Sequence, residues 1–354
     1  RRFRIAGLME HRAWKSVRFA YPDAVPTMLQ PEERRYLYWL GRSVWKGSGL
    51  ILEIGPWLGG STVCLAAGMR ASGHDARSRL HAVDNFLWRE FMAARAALPL
   101  EPGQSFQPFF TENLKDYADL VVSHARTLPD ETIEGDHEAT AKRSAGEPDV
   151  PALEAAPGEG PVEILFIDGA KSWRGMAHLL RIVRERMVPG QTLLVCQDYK
   201  YWGTYWVPMM MSRLGECVEP LHNVLGATTV TFRLARDISR ATLDELEDHV
   251  ARIPTGDGLA LIDAARRLVL RDGDRLGAAN LSLCRVSFLA HQGRTDAAAV
   301  AFKEAQMSWP AFVESGQLER ARIYLRNEKG VAIGRPFRFP VEMKFLGAMR
   351  ALRR

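Results

Sequence analysis

The sequence predicts an α/β protein: a doubly wound, mostly parallel sheet with an antiparallel hairpin at one edge, followed by an α-helical region. Three observations carry this. From Gly49 to about Arg236, short apolar or β-branched runs alternate with stretches of helical periodicity. The first of those runs leads through a glycine-rich turn straight into a helix. Beyond Ile238 the strand-like runs stop, and helical periodicity continues to about Arg326.

The elements follow in order. LILEIG (Leu50 to Gly55) reads as a buried strand, and STVCLAAGMR as a helix opening at Ser61. LHAVD (Leu80 to Asp84) is a second strand, and ADLVVSHA (Ala118 to Ala125) a third. From Pro129 to Pro161 the composition turns to Glu, Asp, Ala, Pro and Gly, which predicts a flexible surface insertion. VEILFID (Val162 to Asp168) is a fourth strand, with an amphipathic helix from about Trp173 to Met187 behind it. TLLVCQD (Thr192 to Asp198) is the fifth, set off by the turn Pro189-Gly190. CVEPLH and ATTVTFRL stand close enough together for an antiparallel edge hairpin. In the helical region, Gly293, Ala298, Phe302, Ala305 and Pro310 have the spacing of one tetratricopeptide helix pair. One such pair cannot bury its own apolar face, so these helices are expected to pack on each other or on the sheet.

Bulk properties narrow the function. The chain has 354 residues, 47% hydrophobic and 25% charged, which suits two globular units. The expected division is an N-terminal segment at 1–30, a sheet domain at 31–237, helices at 238–328 and a basic tail at 329–354. No apolar run is long enough to span a bilayer, and the Arg-rich start lacks a signal peptide's apolar core, so a cytoplasmic location is expected. Cys64, Cys196, Cys217 and Cys284 lie far apart without a zinc-like spacing and read as reduced thiols. The net charge of +5 sits largely at the chain ends, which permits an acidic partner without calling for one.

The turn E-I-G-P-W-L-G-G-S, from Glu53 to Ser61, sets backbone amides and a helix start beside whatever lies above the carboxyl edge of the sheet. Gly55 allows a sharp turn and Gly59 a close backbone approach, while Ser61 is placed to cap the helix and to bond a carboxylate. The spacing is neither GxGxxG nor a phosphate loop with Gly-Lys-Ser/Thr, and the chain has no GxSxG elbow and no HExxH. Asp84 ends the second strand, where a carboxylate can hold a ribose diol, and Asn85 follows it. The competing reading makes Glu53 a strand-end acid, Asp84 a turn former and the glycines a tight connection.

On these residues, Pro31 to Arg236 resembles a class I S-adenosylmethionine-dependent methyltransferase with a Rossmann-like sheet. The branch it resembles is the bacterial small-molecule O-methyltransferases similar to macrocin O-methyltransferase. The resemblance implies that Glu53, Gly55, Trp57, Gly59, Ser61, Asp84, Asn85 and Asp168 border the cofactor S-adenosylmethionine. It departs from the pattern at His124-Ala125-Arg126, where relatives often carry Gly-Asp-Ser, so the usual acid beside the adenine is missing.

A second group lies at the ends of the fourth and fifth strands, F-I-D-G-A-K-S-W and C-Q-D-Y, which adjacent parallel strands bring together. Methyl transfer needs an aligned acceptor and removal of its proton. The resemblance implies that Asp168 and Lys171 are catalytic, with Lys171 as general base, and that Asp168, Gln197 and Asp198 hold magnesium. Gln197 stands where relatives usually carry an acid. The alternatives are a solvated loop lysine and two carboxylates that bond only backbone amides. The aromatic run D-Y-K-Y-W-G-T-Y-W-V-P, with Trp173, is expected either to wall an acceptor pocket or to be core.

The function expected is methyl transfer to a hydroxyl of a sugar or secondary-metabolite-like small molecule, with magnesium as a possible aid. Homo-oligomers are compatible with this reading, and neither nucleic acid nor membrane is required as a partner. The alternatives are a catalytically silent domain of the same fold that binds a partner, and a nucleic-acid methyltransferase suggested by pI 9.1 and the basic tail.

Overall fold

The computed structural model describes residues 13–128, 149–170, 172–246, 250–309 and 317–329. The N-terminal 1–12, most of the predicted insertion, Lys171, Pro310 and the basic tail beyond Lys329 lie outside the described residues. Seven strands form one sheet: β1 (Leu50–Ile54), β2 (Leu80–Asp84), β3 (Val121–Ala125), β4 (Val162–Ile167), β5 (Leu193–Cys196), β6 (Val218–Asn223) and β7 (Val230–Leu234). Their order is β3-β2-β1-β4-β5-β7-β6. The first five are parallel, and β7 lies antiparallel between β5 and β6. The edge hairpin is thus inserted through its second strand.

Alternation along the strands sends side chains to two cores. Ile51, Ile164, Phe166, Leu193 and Val195 face a layer made by α1 (Pro31–Trp39), its continuation Leu40–Val44 and α2 (Gly60–Ser72). Leu50, Leu52, Ile54, Leu165, Ile167, Leu194 and Cys196 face the other layer. There α4 (Trp173–Val183) buries Trp173, Met176, Leu179, Leu180 and Val183, each worth about 1.5–3 kcal/mol relative to exposure. Ser172 caps α4 by accepting from the Gly175 amide at 2.9 Å. Between β2 and β3 runs α3 (Gln107–Asn113), which buries Phe110 against Phe86 and Trp57.

The helical region comprises α6 (Arg240–Asp244), α7 (Thr255–Arg271), α8 (Arg275–His291), α9 (Thr295–Ser308) and α10 (Gln317–Lys329). It shares one continuous core with α4, β5 and α5 (Trp206–Arg213), as the packing expectation required. Ala298, Phe302 and Ala305 are the buried face of α9. Among the described residues, no helix is long and apolar enough to cross a membrane.

Several details differ from the sequence reading. The third strand begins at Val121, because Lys115–Tyr117 forms a helical turn before it. Helix α2 opens at Gly60 with Gly59 as its N-cap, so Ser61 is not a cap. The aromatic run is mainly core: Tyr199, Trp202, Tyr205 and Trp206 are buried where the sheet meets the C-terminal helices. Tyr205 packs on Phe288 and His291 of α8, and the Trp206 indole donates to the Ala170 carbonyl at 3.0 Å. Their area is spent on joining the two parts of the chain.

Candidate functional site at the carboxyl edge of the sheet

Parallel pairing sets the ends of four strands in a row. Gly55 N donates to Val83 O at 2.9 Å, Asp168 N to Ile54 O at 2.9 Å and Gln197 N to Ile167 O at 3.0 Å. The strand order reverses between β1 and β4, and a sheet of this kind opens a crevice at that switch. There the turns after β1 and β4 touch. A Cβ on Gly55 would lie 2.5 Å from the Gly169 amide nitrogen, and Gly55 has φ of 83°. Gly59, with φ of 91°, turns the chain into α2.

Glu53 is fully buried at the base of this crevice. Ser61 donates to one of its oxygens and Thr62 to the other, the latter at 2.7 Å. Burial pushes its carboxyl up to about 7 despite these two bonds, and the carboxylates of Asp168 and Asp84 push in the same direction. The Ser61 hydroxyl predicted to meet a cofactor carboxylate is thus directed at Glu53. Asp84 is half-buried at the end of β2, and one of its oxygens accepts from Phe86 N at 2.8 Å. Asn85 accepts from Leu87 N at 3.0 Å, so both side chains also shape the turn.

Backbone strain collects on the same edge. Among the described residues, four non-glycine residues have positive φ: Trp57, Ser78, Phe86 and Asp198. Trp57, Phe86 and Asp198 lie in the turns after β1, β2 and β5, and such strain persists where a site needs it. Trp57 is also buried, and its indole N–H has no partner among the described residues. An orphaned donor, two positive-φ glycines and a cluster of acids fit a cofactor that carries cationic groups and hydrogen-bond acceptors.

Magnesium fits less well. Asp168 and Asp198 both lie on the edge, half-buried. The amide of Gln197 is held behind it, with Thr229 Oγ1 at 2.5 Å from Gln197 Oε1 and 2.6 Å from Glu33 Oε1. Among the described residues, no three His, Cys, Asp or Glu are grouped to hold an ion. Of the predicted trio Asp168, Gln197 and Asp198, Gln197 takes part in a buried polar cluster with Thr229 and Glu33. Lys171 lies outside the described residues.

Five partners of the site escaped the sequence reading. Gly169 was present in the D-G-A-K run, but its contact with Gly55 depends on strand order. Thr62 directly follows a residue that was singled out. Glu33 and the pair Thr228 and Thr229 reach the fifth strand from distant elements, and no local pattern marks them.

In open sheets of this kind, ligands bind in the crevice at the switch point, where the glycine turn and the acids lie here. Residues 52–199 match the family model described as Methyltransferase domain. Among solved structures, the O-methyltransferase NovP is similar over 59% of this chain and 82% of its own, at 16% identity and a TM-score of 0.37. An O-methyltransferase from Bacillus cereus in complex with SAH is similar over 61% and 84%, at 15% identity and a TM-score of 0.36. An rRNA methylase from Streptococcus thermophilus is similar over 59% and 99%, at 9% identity and a TM-score of 0.30. No curated protein matches the sequence significantly.

Proposed function

We propose that this protein transfers a methyl group from S-adenosylmethionine to a hydroxyl oxygen of a small molecule of the sugar or secondary-metabolite kind. The observation that supports it most is the acid cluster Glu53, Asp84 and Asp168 around the Gly55 turn, close enough for the two aspartates to raise the Glu53 carboxyl. Such a cluster suits a donor with an ammonium and a sulfonium charge.

The bound donor supplies an activated methyl group; the rest is the work of the chain. Gly55, Gly59 and the Trp57 indole line the approach, and Ser61 acts through Glu53. Asp84, oriented by the Phe86 amide, and Asn85 take the ribose side. Asp168 stands between donor and acceptor, and Lys171, three positions on, takes the proton of the acceptor hydroxyl. The four cysteines are free, which supports the cytoplasmic setting expected from the sequence.

Calorimetry with S-adenosylhomocysteine tests the reading. Saturable binding at micromolar concentration is expected, and no binding at high micromolar concentration would sink it. Lys171→Met should leave that affinity unchanged and slow transfer at least about 100-fold.

A further inference from the structure

Lys200, two residues beyond Asp198, is 1% exposed, and all three of its ammonium hydrogens have acceptors. These are Asn223 Oδ1 at 2.6 Å, Asp274 Oδ2 at 2.7 Å and the Val224 carbonyl at 2.9 Å. Asp274 caps α8 by accepting from Gly277 N at 2.8 Å, and its second oxygen also accepts from Asn223 Nδ2 at 3.1 Å. The helix sits tightly on the lysine, since a Cβ on Gly277 would lie 2.7 Å from Lys200 Cδ.

From Lys200 the connections run to the candidate site. Lys200 N donates to Thr228 O at 3.0 Å, and Thr228 Oγ1 donates to Asp198 Oδ1 at 3.3 Å. Thr204 Oγ1 and Tyr201 N both donate to Asp198 O, at 2.6 and 3.0 Å. Cys284 of α8 adds a contact to Tyr201 O at 3.6 Å. Asp198 itself has φ of 58°, a conformation that a non-glycine residue keeps only when its surroundings hold it there.

A buried ion pair is a poor source of stability, because an apolar pair of similar volume often serves as well. What it fixes is position. We propose that Asp274 is a positioning residue for the acceptor side of the site: through Lys200 it holds the Asp198–Tyr201 turn, which makes α8 part of the active-site frame. This rests on the proposed function, with the turn that Asp198 opens after β5 lying beside Asp168 on the carboxyl edge.

The test uses the full chain, with Lys200→Met and the volume-keeping double variant Lys200→Met, Asp274→Leu. Hydrogen exchange is followed at the amides of 198–201 and 55–60, together with the melting temperature and S-adenosylhomocysteine affinity. Lys200→Met should speed exchange at 198–201 about tenfold or more, with exchange at 55–60 and ligand affinity within threefold of the wild type. The double variant should recover the melting temperature while the 198–201 turn stays fast. Unchanged exchange at that turn, equal acceleration at both turns, or recovery of its protection in the double variant would each overturn the proposal. Failure of the wild type to bind S-adenosylhomocysteine would instead strike the functional reading and leave the exchange result to decide on positioning.

Discussion

Gly55 and Gly169 stand back to back at the switch point of the sheet: a Cβ on Gly55 would lie 2.6 Å from Gly169 Cα, and one on Gly169 2.8 Å from Gly55 N. Neither turn has room for a methyl group, and the Gly55 backbone is left-handed as well. Gly55→Ala should therefore lower unfolding free energy by about 2 kcal/mol and cut S-adenosylhomocysteine affinity at least tenfold. Urea unfolding and calorimetry measure the two effects. A variant with wild-type affinity would show that the contact does not shape the site.

Glu53 makes stability depend on pH in a definite direction. Its carboxyl is raised from 4.5 to about 7 in the fold, so the folded state holds the proton more tightly than the unfolded chain. Its stabilising contribution is complete below pH 4.5 and disappears as pH rises to about 7, a loss of about 3 kcal/mol. Urea titrations across that window should show the loss in the wild type, and Glu53→Gln should flatten it.

The same carboxyl couples to the ligand. A cationic cofactor favours ionised Glu53, so affinity for S-adenosylmethionine should rise with pH from 6 to 8, with proton release near pH 6.5. Calorimetry in buffers of different ionisation enthalpy counts the protons. A pH-independent affinity would place the cofactor charge away from Glu53.

His81 gives the opposite dependence. Burial, with His124 next, lowers its imidazole to about 4, and the two rings stack with His81 Nδ1 at 2.9 Å from His124 Nε2. Stability from this group is present above pH 6.5 and is lost as pH falls towards 4. His81→Leu should remove that part of the acid destabilisation, read as melting temperature against pH.

Trp57 offers a test of the orphaned donor. Trp57→Phe keeps a large ring in the cluster with Phe86 and Phe110 and removes the indole N–H. If that donor serves the cofactor, S-adenosylhomocysteine affinity drops by about 1 kcal/mol, roughly fivefold, with the melting temperature nearly unchanged.

What the sequence made legible follows physical range. Buried strands such as Val162 to Asp168 and the glycine turn from Glu53 are local patterns, and they place the sheet and its carboxyl edge. The acids at 53, 84 and 168 were found because strand ends are local too. The partners of Gln197 were not: Glu33 and Thr229 come from the first helix and the turn before the last strand and meet only after folding. The aromatic run from Tyr199 to Trp206 was ambiguous because a ligand wall and a buried seam share a composition. Only the presence of α8 against it decides for the seam.

The insertion after β3 leaves and returns at one place. Thr127 N donates to Pro151 O at 3.0 Å, Leu153 N to Thr127 O at 2.8 Å, and Leu128 and Leu153 both enter the core. Arg186 fastens the returning loop by donating to the carbonyls of Ala156, Pro157, Gly158 and Gly160. Its two roots are thus joined to each other and to the core on the described side. That joined pair of roots is a point at which the scaffold can accept foreign sequence, a reporter or a second module, while the first and fourth strands keep their geometry.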